Sequence, residues 1–122
     1  MILVDTSVWV DHLRKDEAGM RRLLGRGQVF SHPFVIGELA MGSFKRRDLL
    51  LGELGDLPQA KVAEDDEVLH FVSEHTLFGS GLGYIDAHLL AAARLTPGTL
   101  LWTRDKRLSE VAHRFGVAAE EL

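Results

Sequence analysis

MILVDTSVWV, residues 1–10, sets three aliphatic residues after Met1 and then an aspartate, Asp5, where the apolar run stops. Ile2, Leu3 and Val4 favour extended backbone and are too few for a helix, so they read as a short buried strand. Thr6 and Ser7 follow as helix N-caps, and Val8, Trp9 and Leu13 keep a helical spacing. Asp5 thus stands where strand hands over to helix. In open α/β sheets, ligands bind along that edge, outside the carboxyl ends of the strands. Taken alone, Asp5 reads equally well as a cap of the first helix.

Moving outward, Asp16 is expected to cap a second helix carrying Met20, Leu23 and Leu24 on one face, closed by Gly25 and Gly27. QVF (28–30) reads as a strand, and His32 with Pro33 opens a helix through PFVIGELAMG. Further helices are expected over 45–55, from Glu64 to about Leu77, over 84–95 and over 105–115. Strands are expected at 59–63, 99–103 and 117–118. Strands separated by helices imply parallel pairing in an α/β sandwich.

The 122 residues fit one domain, 1–122, with no repeat or linker. A hydrophobic fraction of 46% argues against disorder. No apolar run approaches the roughly 20 residues that span a bilayer, and residues 1–4 lack the features of a signal peptide. A cytoplasmic protein with no membrane partner is expected. With no cysteine, disulfides, thiolate nucleophiles and cysteine zinc sites are excluded.

Three more carboxylates are placed unusually. Glu38 is the only charged residue between Pro33 and Gly42, which suggests a buried acid in need of a cation. Asp86 lies in the first turn of the 84–95 helix, and Asp105 follows TLLWT as Asp5 follows ILV. Two strand ends and two helices could aim four acids at one point. Such a cluster is stable as anions when it holds a hard cation, and oxygen-only ligands favour Mg²⁺ or Mn²⁺ over zinc. A cation so held stabilises charge on a phosphodiester and acidifies water.

VDTSVWVDHL, GELAMG, YIDAHLLAAA and LWTRDKRL, in this order, resemble the motifs of PIN-domain proteins, in detail those of VapC-type toxins of bacterial toxin–antitoxin pairs. The resemblance covers essentially the whole chain. It implies a three-layer α/β sandwich with a parallel sheet of about five strands, and a divalent-metal-dependent endoribonuclease. Matching motif to motif, Asp5, Glu38, Asp86 and Asp105 are the catalytic quartet, with Asp5, Asp86 and Asp105 the metal ligands. Thr103 and Thr6 or Ser7 are supporting hydroxyls. The resemblance further implies an RNA substrate, a VapB-like antitoxin and a homodimer.

A net charge of −4 is at first sight unsuited to a polyanion. Setting the four acids aside, however, 14 acidic residues match 14 Lys and Arg. Lys45/Arg46/Arg47 and Arg104/Lys106/Arg107 are candidate RNA contacts, whereas Arg21/Arg22/Arg26 reads as a solvated face. The six histidines form no H-E-x-x-H, and GSGLG (79–83) lacks the G-x-G-x-x-G pattern, so zinc and nucleotide sites are not expected. Two other classes compete. A phosphatase with an aspartyl nucleophile would carry a second aspartate two residues after the first, where Ser7 stands. A catalytically silent protein would use the acidic groove only to bind a basic partner segment.

Overall fold

The computed structural model describes residues 1–122. Ile2–Val4 forms β1, which pairs in parallel with Val29–Phe30 (β2) on one side and Leu100–Trp102 (β3) on the other. Leu3 and Val4 point to opposite faces of the sheet, as neighbours on a strand must, and both are fully buried. Leu101 and Trp102 repeat this on β3. Both faces are therefore covered by helices, which gives the three layers expected.

The sheet has three strands rather than about five. The outer segments shrink to single parallel bridges, Ser31 with Gln59 and Leu101 with Ala118. Pro58 has no N–H to extend the first. Before the second, Gly116 turns the chain at φ 70°.

Seven helices fill the layers: α1 (Thr6–Lys15), α2 (Ala18–Gly25), α3 (Pro33–Ala40), α4 (Arg47–Asp56), α5 (Asp65–Glu74), α6 (Tyr84–Leu95) and α7 (Lys106–Arg114). Helix α6 is the central one, buried without a break from Ala87 to Ala93. None of the helices is long and apolar enough to cross a membrane.

Two expected caps are replaced. Asp16 does not cap α2; it follows α1 at φ 20° and pairs with Arg21 at 3.2 Å. Thr6 and Ser7 lie inside α1, whose N-cap is Asp5, and their hydroxyls serve carboxylates instead.

Helix α3 starts from a histidine. His32 Nδ1 accepts the Phe34 N–H at 3.0 Å, so the ring caps the helix as a neutral base. Burial, and then the neighbouring His88, lower its pKa from 6.5 to about 4. The folded chain thus binds this proton less tightly than the unfolded one, and stability is lost as pH falls from about 6.5 towards 4. A tenfold difference in proton affinity is worth about 1.4 kcal/mol, so we expect His32 to account for about 2–3 kcal/mol of stability lost between about pH 7 and 4.5. His32→Asn keeps a cap acceptor and removes the proton, so urea unfolding of that variant should show a flatter pH dependence.

The site-bearing edge follows from topology. The chain leaves β1 for β2 on one side and returns to β3 on the other, so the connections diverge at the carboxyl ends of β1 and β3. Asp5 ends the first of these strands, and Thr103 to Asp105 follow the second.

Candidate active site

Asp5 is 6% exposed and is held by hydroxyls from two strand ends. Ser7 Oγ donates to Asp5 Oδ2 at 2.8 Å and Thr103 Oγ1 donates to the same oxygen at 2.7 Å. Each hydroxyl has one proton, so each accepts from elsewhere: Ser7 from the Arg104 N–H at 3.0 Å, Thr103 from the Asp105 N–H at 3.0 Å. The Asp5 N–H itself donates to Trp102 O at 2.9 Å, continuing the β1–β3 ladder. Both hydroxyls use Oδ2, which leaves Oδ1 without a hydrogen bond. One carboxylate oxygen is fixed and the other is available to a ligand.

Glu38 departs from expectation, for it is exposed rather than buried. Helix α3 buries Val35 and Leu39 and turns Pro33, Gly37 and Glu38 outward. Its outer face is merely short of polar residues. Thr6 Oγ1 donates to Glu38 Oε1 at 2.7 Å and so ties the start of α1 to α3.

Asp86 and Asp105 do cap their helices. Asp86 Oδ2 accepts the Gly83 N–H at 3.0 Å, and Asp105 Oδ1 accepts the Leu108 N–H at 2.9 Å. Capping takes up one oxygen of each carboxylate and leaves the other. The cap and site readings of these residues are therefore compatible.

Electrostatics joins the four. The Asp86 carboxyl is held above its ordinary range, first by burial, against which the Gly83 N–H works, and then by the charges of Asp5, Asp105 and Glu38. All four acids thus share one edge of the molecule. They are not in mutual contact, and no three His, Asp or Glu side chains are gathered closely enough to enclose one ion. An oxygen-only set this open does not suit zinc, which takes a closed shell of three or four protein ligands. It fits a hard cation that keeps several waters and takes one or two carboxylates directly, as Mg²⁺ does.

A contact that the sequence does not show supports Asp86. Asp65 Oδ1, at the start of α5, accepts from Tyr84 Oη at 2.8 Å and lies 3.1 Å from His88 Nε2. Both partners are on the first turns of α6, either side of Asp86, and this link fixes where that helix begins. Each residue reads as unremarkable alone.

Arg104 corrects the expected basic cluster. Its guanidinium is committed to Asp11 and Glu17, each at 2.8 Å, and to Glu121 at 2.5 Å, and it lies over the Trp102 ring at 5.6 Å. These carboxylates raise its pKa further, so it is a fixed structural cation and not a free phosphate contact. Arg47 is likewise engaged, by Asp48 at 2.8 Å and by Ala40 O at 3.0 Å. Lys106 and Arg107 remain exposed and free of ion pairs. Arg107 lies over Gly81, where φ is +89° and a Cβ would collide with the guanidinium.

Replacing Arg104 by alanine leaves three carboxylates facing one another. A cost of about 1–2 kcal/mol is expected, between the values for exposed and buried pairs, because the side chain is 25% exposed. Chemical denaturation should register this loss. The backbone N–H that serves Ser7 is untouched by the change.

Among known proteins, the PIN domain matches residues 2–114 of this chain. Ribonuclease VapC32 of Mycobacterium tuberculosis, from strain CDC 1551 / Oshkosh and from strain H37Rv, is 51% identical over 123 aligned positions, covering 100% of this chain and 99% of the relative. The parallel sheet with its acidic edge, the span of the match and this identity agree, and the chain belongs to the PIN-domain family.

Proposed function

We propose that the chain is a divalent-metal-dependent endoribonuclease toxin of a VapBC-type module, with residues 1–122 acting as one catalytic domain. The observation that carries this reading is a run of contacts along the carboxyl edge of the sheet: Ser7 and Thr103 hold Asp5 by one oxygen and leave the other free, Thr103 also takes the Asp105 N–H, and Thr6 holds Glu38 beside them. Four acids kept together at a sheet edge repel one another unless a cation joins them.

In this reading Asp5 Oδ1 is the central ligand of Mg²⁺ or Mn²⁺, with Asp86 and Asp105 engaged directly or through water. The bound cation supplies charge neutralisation at a phosphodiester oxygen and acidifies water. Ser7 and Thr103 keep Asp5 aimed, because two hydroxyl donors on Oδ2 fix the plane of its carboxylate and leave Oδ1 for the cation. Glu38, steadied by Thr6, orients the attacking water for in-line displacement. Lys106 and Arg107 hold flanking phosphates, in which Arg104 takes no part. Products with a 3′-hydroxyl and a 5′-phosphate are expected.

A VapB-like antitoxin is the proposed partner, its basic segment attracted to the same acids. A homodimer is proposed as well, through apolar surface such as Met41, 88% exposed, and Leu49, 55% exposed. A strictly monomeric chain in light scattering at micromolar concentration would count against the dimer.

The nuclease reading is tested by incubating the partner-free chain with end-labelled total RNA in Mg²⁺ or Mn²⁺ and, in parallel, with EDTA. Discrete fragments that EDTA abolishes are expected. Several intact RNA pools in both metals would instead favour the partner-binding reading of the acids.

A further inference from the structure

A cleft of about 320 Å³ opens beside Glu38, between α1, α3 and the segment leading to α4. Thr6, Val10 and Arg14 line it from α1 at four-residue spacing, one stripe along the helix. Thr6 and Arg14 are about 12 Å apart at 1.5 Å per residue. The near end belongs to the acidic edge, since Thr6 donates to Glu38 there. At the far end Arg14 is exposed and joins no ion pair, while Arg21 and Arg104 take the nearby carboxylates Asp16, Asp11 and Glu17.

Between the two ends the wall is apolar and partly aromatic. Phe44, with its aromatic ring, and Ser43 line it from the segment after α3. The ring is in place because residue 42 is glycine: a Cβ at Gly42 would stand 3.2 Å from Phe44 Cε1 and 3.3 Å from Leu39 O, closer than ordinary contact. An acid that attends the reacting phosphate, then an apolar wall with one aromatic side chain, then an uncompensated cation matches the succession of phosphate, base and phosphate along a single strand of nucleic acid. A basic segment would be repelled by Arg14, a wholly apolar one would leave Arg14 without a role, and the repulsion that Glu38 exerts on any anion is offset for a phosphate by the cation of the proposed site.

We propose that this cleft is a nucleotide subsite for the RNA substrate, in which the base next to the cut stacks on Phe44 and the phosphate beyond it pairs with Arg14. This rests on the ribonuclease reading and extends it to what selects the cleavage position. Stacking on an aromatic ring tolerates every base but favours some, so Phe44 sets a preference at one position beside the cut.

Two assays test it: binding of fluorescein-labelled single-stranded oligoribonucleotides, by anisotropy in the Asp5→Asn background, and mapping of cut sites in total RNA with Asp5 intact. Phe44→Leu keeps apolar volume and should weaken binding about 5- to 150-fold, while Phe44→Trp keeps the stack and the affinity. Arg14→Gln should lower the slope of log K against log salt by about 0.7, one phosphate contact on a single strand. In the maps, Phe44→Leu should flatten the nucleotide preference at one position, whereas Leu69→Ala, on the exposed side of α5 and outside the cleft, should not. The subsite is overturned if the wild type cuts RNA and the Phe44→Leu and Arg14→Gln proteins keep its site preference and salt slope. It is also overturned if these changes impair only inhibition by a protein partner, which would make the cleft that partner's. Absence of any cutting by the wild type would instead remove the ribonuclease reading on which the subsite rests.

Discussion

Asp5→Asn lowers RNA cutting by about 10³-fold or more, while the thermal midpoint of the metal-free protein stays level or rises. The first effect follows from the charge of the ligand: a cation at a phosphoryl centre supplies several kcal/mol of transition-state stabilisation, and each 1.36 kcal/mol is about tenfold in rate. The second follows from the hydrogen bonds. Asparagine presents an oxygen of the same shape to the Ser7 and Thr103 hydroxyls, which now donate to Asp5 Oδ2 at 2.8 and 2.7 Å. Removing the charge also relieves Asp86, whose carboxyl is raised in part by Asp5. Side-by-side rates on end-labelled RNA and thermal melts check both halves. A large fall in the melting temperature would mean that Asp5 serves the fold more than the chemistry.

Thr103→Val lowers activity about 10- to 100-fold, the range typical when a group that orients a metal ligand is lost. Valine keeps the branched shape. It lacks both the proton given to Asp5 and the oxygen that accepts the Asp105 N–H at 3.0 Å. One hydroxyl thus links two of the four acids, and its loss leaves Asp5 to Ser7 alone and Asp105 to its helix cap alone. The signature is a higher metal concentration for half-maximal rate, and Thr103→Ser should restore the wild-type value. A variant merely less stable would lose activity with an unchanged metal requirement.

Much of this is legible in the amino-acid sequence. Asp5 and Asp105 stand out because an apolar strand ends at or just before each, and the helix that follows is clear in both cases. Asp86 is read from its place in the first turn of an alanine-rich helix. Glu38 stands out for a mistaken reason: PFVIGELA looks apolar throughout because its outward positions are Pro33, Gly37 and Glu38, so exposure resembles burial. Arg104 is misread from sequence because its partners Asp11, Glu17 and Glu121 are far away along the chain and meet it only in three dimensions. Thr6 and Ser7 suggest helix capping, the commonest use of such hydroxyls at that position. Ser7 turns instead to Asp5, two residues before it, as the family resemblance implies, whereas the Glu38 partner of Thr6 becomes visible only once α3 is packed beside α1. The outer strands are overestimated because composition marks a β-prone run but not how many of its residues find a partner.

Binding of Mn²⁺, followed by electron paramagnetic resonance as the ion is titrated into the metal-free wild type and into Asp5→Asn, tests most directly whether these acids form a cation site. The wild type should take up Mn²⁺ and release it to excess Mg²⁺, while the folded Asp5→Asn protein leaves the ion free over the same range. Equal uptake by the two proteins would contradict Asp5 as the central ligand.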